Sequence, residues 1–114
     1  MKLVETKEVN LLFDVKVITG NTSGEITDDV VLMNSEITNN TPIVYTLPRA
    51  NTCKGKPIKV FCMLAESYCN IELESGDEFK GTSNYPLSLQ SVGEYASFVS
   101  DGMASWYLCD NRIS

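Results

Sequence analysis

The stretch VNLLFDVKV, residues 9–17, alternates apolar and polar side chains with Leu12 as the one exception. That period of two predicts a half-buried strand with Val9, Leu11, Phe13, Val15 and Val17 on the core face, and Asn10, Asp14 and Lys16 on the other. The same period returns almost to the end of the chain. ITDDVVLM (26–33) and PIVYTL (42–47) read as strands, separated by the polar NSEITNNT. PIKVFCML (57–64) sets Ile58, Val60, Cys62 and Leu64 on one face, and YCNIEL (68–73) turns Cys69, Ile71 and Leu73 inward. A short strand surrounds Phe79, and YPLSL (85–89) presents Leu87 and Leu89. A closing hairpin runs from Glu94 to about Cys109, and Asp101-Gly102 supplies the left-handed backbone of its turn.

Strand signals this short, spaced by about eight to twelve residues, point to a sandwich, jelly roll or barrel of antiparallel strands. The expectation is an all-β single domain, an antiparallel β-sandwich of jelly-roll type with about eight or nine short strands and no helix beyond one turn. Residues 1–25 read as an N-terminal strand or arm for contact with a partner, and residues 26–114 as the sandwich module. In the closing hairpin Ala96 and Phe98 share a face with Trp106 and Leu108. Trp106 is therefore expected in the core, as a structural lock.

Composition narrows the functional classes. A chain of 114 residues suits one domain. No apolar run approaches the ~20 residues of a membrane span. MKLVETKEVN lacks the apolar centre of a signal peptide, so synthesis and folding in a cytoplasm are expected. Fifteen acidic against nine basic residues leave a formal charge of -6, which argues against binding nucleic acid through its phosphates. Lys54, Lys56 and Lys59 read as a solvated strand edge.

Catalytic chemistry finds little to use. Without histidine there is no His-based triad and no Cys-His dyad. The spacing of Cys53, Cys62, Cys69 and Cys109 matches no zinc signature. Cys62, Cys69 and Cys109 fall within apolar strand patterns and are expected as buried thiols, with a disulfide as the alternative. Cys53, beside Lys54 and Lys56, is the one candidate nucleophile, and the plainer reading is a partly exposed thiol. The carboxylate pairs Asp28/Asp29, Glu72/Glu74 and Asp77/Glu78 read as solvent-facing strand acids, not as a glycosidase pair across a cleft. SGDEFKG has too few oxygen ligands for a calcium loop, and no nucleotide-binding or nucleophile-elbow motif occurs. No enzyme is expected, and no catalytic, cofactor or metal residue. Tyr45, Tyr68, Tyr85, Tyr95 and Tyr107 exceed what so small a core holds, so several are expected outside, where tyrosine rings stack on sugars or fill subunit interfaces.

Four segments in order carry a resemblance: YTLPRANTCKGKPIKV (45–60), ESGDEFKG (74–81), YPLSL (85–89) and SFVSDGMASWYL (97–108). From Asp28 onward this order resembles a module of bacteriophage tail fibres, tail spikes and other virion surface proteins. The resemblance implies an antiparallel β fold, usually trimeric, that works by binding and assembly and not by catalysis. Its motif residues are turns and core, so it assigns no ligand-binding residue. The expected role is a capsid-decorating or cementing protein at the virion surface, a homotrimer in contact with major capsid or tail proteins. The alternatives are a tail-fibre or receptor-binding tip that recognises host surface glycan, and a small binding protein outside the virion. The lack of a collagen-like repeat or heptad shaft favours decoration. Neither nucleic acid nor membrane is expected as a partner.

Overall fold

The computed structural model describes residues 14–35, 41–65 and 67–113. Ten strands form in these: β1 (Val15–Ile18), β2 (Thr22–Ser23), β3 (Val30–Asn34), β4 (Ile43–Thr46), β5 (Pro57–Leu64), β6 (Cys69–Glu72), β7 (Glu78–Lys80), β8 (Leu87–Leu89), β9 (Tyr95–Ser100) and β10 (Ser105–Arg112). One 3-10 turn, Ala50–Thr52, is the helical turn expected between Pro48 and Gly55. The protein is all-β, in two sheets.

The chain alternates between the sheets. β1, β3 and β5 join the six-stranded sheet, of order β1-β3-β5-β9-β10-β7, while β2, β4 and β6 join the four-stranded sheet, of order β2-β4-β6-β8. Each return to a sheet is made in the same direction, so β1, β3 and β5 run parallel, as do β2, β4 and β6. The first half of the fold is thus a solenoid-like stack of rungs, each giving one strand to each sheet. Antiparallel pairing enters only with β8 on β6 and with β9 between β5 and β10, and β7 lies parallel to β10. The expected uniformly antiparallel sandwich is corrected on this point. Alternating polarity reports which face of a strand is buried and is silent on strand direction. Direction follows instead from connections such as Ile18 to Thr22, which cross to the other sheet where a hairpin would fold back into the same one.

The inward residues are mostly those the alternation marks. Ile58, Val60 and Cys62 of β5, Cys69 and Ile71 of β6, Leu87 and Leu89 of β8, and Ala96 and Phe98 of β9 are buried. β1 is inverted. Val15 and Val17 are more than half exposed, whereas Ile18 is buried and Lys16 shares its face. A one-residue change of facing turns over a whole strand. Here the inward lysine meets the buried carboxylate of Asp28 at 2.8 Å, an attraction the valines cannot offer. Val9, Leu11 and Phe13 lie outside the described residues. Of the expected arm, the described part, 14–25, forms the edge strand of each sheet.

Three distant segments converge on the corner Pro48–Ala50. Trp106 Nε1 donates to the Pro48 carbonyl at 2.9 Å, Ser100 Oγ donates to the Ala50 carbonyl at 2.7 Å, and the Ala50 N–H donates to Asp77 Oδ2 at 2.8 Å. The hairpin turn is closed by Asp101, whose Oδ1 accepts from the N–H groups of Met103, Ala104 and Ser105, while Gly102 takes φ +80°. A side chain there would also meet Lys54. Trp106 is fully buried, and Phe79, opposite it on β7, stacks on Phe98 at 5.4 Å.

Trp106→Ala removes both this volume and the bond to Pro48, and is expected to cost about 3–5 kcal/mol in chemical denaturation. Trp106→Phe, which keeps most of the volume, is expected to cost less. A Trp106→Ala cost below about 1 kcal/mol would remove the indole from its role as a lock.

Candidate functional site

The outward face of the six-stranded sheet is the most distinctive surface. Parallel register sets Val15 beside Val30 and Val17 beside Leu32, and Leu32 beside Phe61 of β5. In a sheet with one dry side, these outward positions would ordinarily be polar. Here an apolar corner spans β1, β3 and β5. Across β5 the face becomes mixed. Lys59 Nζ lies 5.7 Å from the centre of the Phe61 ring and 5.4 Å from that of Tyr95, the two rings are 5.3 Å apart, and Tyr95 donates to Asp110 at 3.1 Å. Tyr107 stands exposed beside Val99.

Behind this corner lies a buried polar knot. Asp28 accepts from Tyr45 Oη at 2.6 Å and from the Glu25 N–H at 2.9 Å, both on Oδ2. Among the described residues, Lys16 alone compensates Oδ1. Burial pulls the Asp28 pKa up, but the bonds from Lys16, Tyr45 and Glu25 outweigh it and leave the carboxyl below its ordinary value. Burial, and then the bond to Asp28, push the Tyr45 hydroxyl far up, so it stays protonated. A side chain at position 24 would come within 2.5 Å of the Tyr45 hydroxyl and 2.8 Å of Thr46 O, so glycine there lets the knot close. Outside it, Asp29 accepts from Lys56 and from the Asp14 N–H, bonds that also lower its pKa.

Asp28 titrates lower folded than unfolded, so its stabilisation is complete above the unfolded value and is lost as pH falls through the folded one. Asp28→Asn is expected to cost about 3 kcal/mol at pH 7, because it leaves Lys16 half-buried without a counter-charge. The gap between wild type and variant should narrow on acidification below about pH 4. Denaturation midpoints across pH test this, and a constant gap would count against the charged pair.

The other residues singled out by sequence do not gather into one place. Cys53 is buried, not a partly exposed thiol, because the 3-10 turn folds its Sγ back to within 3.4 Å of the Arg49 carbonyl. Cys109 is exposed, not buried, because the β9–β10 register slips between Leu108 and Asp110 and turns that position outward. Cys62 and Cys69 are buried free thiols with sulfurs 4.0 Å apart. Burial first, then Cys69, pushes Cys62 up to about 12, and burial also raises Cys69. Glu74 sits 3.9 Å from Arg49, and Asp77 is engaged at the Pro48–Ala50 corner. Tyr68, Tyr85 and Tyr107 are exposed, and Tyr45 is in the core. Among the described residues, no group of three or more His, Cys, Asp or Glu gathers as metal ligands, and no helix is long and apolar enough to cross a membrane.

Maleimide should therefore label one thiol in the native protein, Cys109, and all four in denaturant, as read by intact mass. Native labelling at Cys62 or Cys69 would contradict the burial of that pair.

No protein-family model, curated protein or solved structure matches the chain. The function has to be argued from the faces themselves. Sequence reasoning passed over the apolar corner because it assigned Val15 and Val17 to the core. Two apolar faces on one strand, Val30/Leu32 against Val31/Met33 of β3, were the available signal.

Proposed function

We propose that this chain is a non-enzymatic structural protein of a bacteriophage virion, a surface subunit that self-associates and decorates the capsid. The observation that carries the reading is the apolar corner of Val15, Val17, Val30, Leu32 and Phe61 on the six-stranded sheet, where, among the described residues, the first two are more than half exposed and the others partly so. Contiguous apolar surface of this kind marks an interaction site in a soluble protein. The phage attribution draws on the order of the four sequence segments. These segments serve one structural purpose, since TLP-R-A, GD and SDG-x-x-x-W supply the partners that meet at Pro48–Ala50.

The homotrimer follows from the same resemblance. Subunits made in the host cytoplasm would hide the apolar corner against one another or against the major capsid protein, leaving the acidic remainder of the surface toward solvent. The charge of -6 keeps free subunits apart until a matching face is met.

Val17→Lys tests the assembly directly. The side chain already points outward, so folding should change by less than about 0.5 kcal/mol. Light scattering after size exclusion is expected to show a trimer for wild type and a monomer for the variant. Copy number on purified particles, separated into heads and tails, then tests location. Hundreds of copies on heads are expected, a few copies on tails would replace decoration with a fibre component, and none on either would end the virion reading.

A further inference from the structure

Sulfur is concentrated at one level of the core. Met33 of β3 and Cys62 of β5 are register partners in the six-stranded sheet, and both are buried. Neighbours at one register point to the same side of a sheet, so the thioether stands beside the thiol. Cys69 of β6 meets them from the four-stranded sheet. Its sulfur lies 4.0 Å from that of Cys62 and 3.9 Å from the Met33 carbonyl oxygen. Cys53, the other buried cysteine among the described residues, lies elsewhere, held at the Arg49 carbonyl.

The harder side chains around this level are engaged with other groups. Ser35 Oγ donates to the carbonyls of Leu64 and Ser67. Glu94, whose carbonyl accepts from the Cys62 N–H at 2.8 Å, turns its carboxylate to the Gln90 N–H at 2.7 Å. Ile43, the register partner of Cys69, is aliphatic, and the chain has no histidine. The level sits at the β5–β6 connection, where the Leu64 carbonyl lies 3.9 Å from the Cys69 sulfur.

We infer that Met33, Cys62 and Cys69 form a binding site for a soft monovalent metal ion of the copper(I) type. A metal–thiolate bond is ~2.3 Å long, so two such bonds across a 4.0 Å gap subtend about 120° at the ion. That is the angle of a three-coordinate centre, and the register supplies Met33 as the third sulfur. A donor set of thiolate and thioether selects copper(I) over magnesium and calcium, which take oxygen. Zinc is disfavoured because a structural zinc needs four ligands, and this level offers three. Charge points the same way. The ion displaces one proton, which leaves to solvent, and the resulting thiolate cancels its single positive charge. The second cysteine stays a thiol, and the dry core gains no net charge. A disulfide would instead require the sulfurs to close to ~2.05 Å and an oxidant to take up two electrons. The bound ion would tie β3 and β5 of one sheet to β6 of the other. The site lies in the core, so it does not rest on the virion reading, and Val17→Lys should leave it intact.

The test uses the full chain carrying Cys109→Ser, which removes the exposed thiol. Copper(I) is supplied without oxygen during refolding, because the level is closed to solvent, and bicinchoninate then competes for it. Native mass spectrometry is expected to show one copper per chain, and X-ray absorption a shell of three sulfurs at ~2.3 Å. The thermal midpoint should rise by about 5 °C or more with copper and stay unchanged with zinc. Met33→Leu conserves volume and should keep the circular dichroism of the ion-free protein. It is expected to weaken copper binding about tenfold and to leave two sulfurs in the shell. Cys62→Ala and Cys69→Ala should each abolish retention. The inference is overturned if Cys109→Ser retains no copper against the chelator, if Met33→Leu binds as tightly as its parent, or if retention survives Cys62→Ala together with Cys69→Ala.

Discussion

The corner Pro48–Ala50 is where the fold is tied. An extended segment leaving β4 cannot continue its ladder through a proline and a 3-10 turn, so its backbone groups need partners from elsewhere. They come from Trp106, Ser100 and Asp77, residues remote in sequence. The bonds from Trp106 and Ser100 are buried, where an unpaired carbonyl is costly, and the bond to Asp77 is partly buried. The corner therefore holds the closing hairpin and the β6–β7 connection to the end of the rung stack. The indole contributes twice, by filling the end of the core and by capping a carbonyl.

The edge of the stack at β1 and β2 is held differently. β1 and β2 are edge strands among the described residues, and the inward side of β1 carries a lysine. Inward charge is one means by which sheets discourage indiscriminate edge pairing. Lys16 is tolerated there because Asp28 is buried opposite it and because Tyr45 and the Glu25 N–H take up the other carboxylate oxygen. The closing hairpin is thus held by an aromatic lock and the β1 edge by a buried ion pair. The pair specifies facing more than it adds stability, since burying both charges offsets much of their attraction.

On the proposed reading, function lies in surfaces. The outward corner at β1, β3 and β5 arises from the inverted facing of β1. The buried sulfur level has a separate cause, since Met33, Cys62 and Cys69 come together only where β3, β5 and β6 meet across the two sheets. Their independence allows a subunit to be held in an assembly by its outer face whether or not an ion fills its core.

Much of the fold was legible in the amino-acid sequence. Alternation alone marks Ile58, Val60, Ile71, Leu87, Leu89, Phe98 and Trp106 as inward, because side chains on a strand point to opposite sides in turn whatever the strand pairs with. Glycine beside Asp101 marks the last turn because a tight turn needs left-handed backbone. Strand direction was not legible, since parallel and antiparallel neighbours bury the same alternate residues. The facing of β1 was decided by Asp28, which becomes a partner for Lys16 only when the rungs stack. Cys109 was misplaced because a single extra residue in β10 shifts every later side chain, and only the pairing with β9 creates that slip. The sequence by itself determined which residues prefer to leave water. Tertiary structure decided which surfaces remained in it, because sheet order and sheet length are properties of contacts between distant segments.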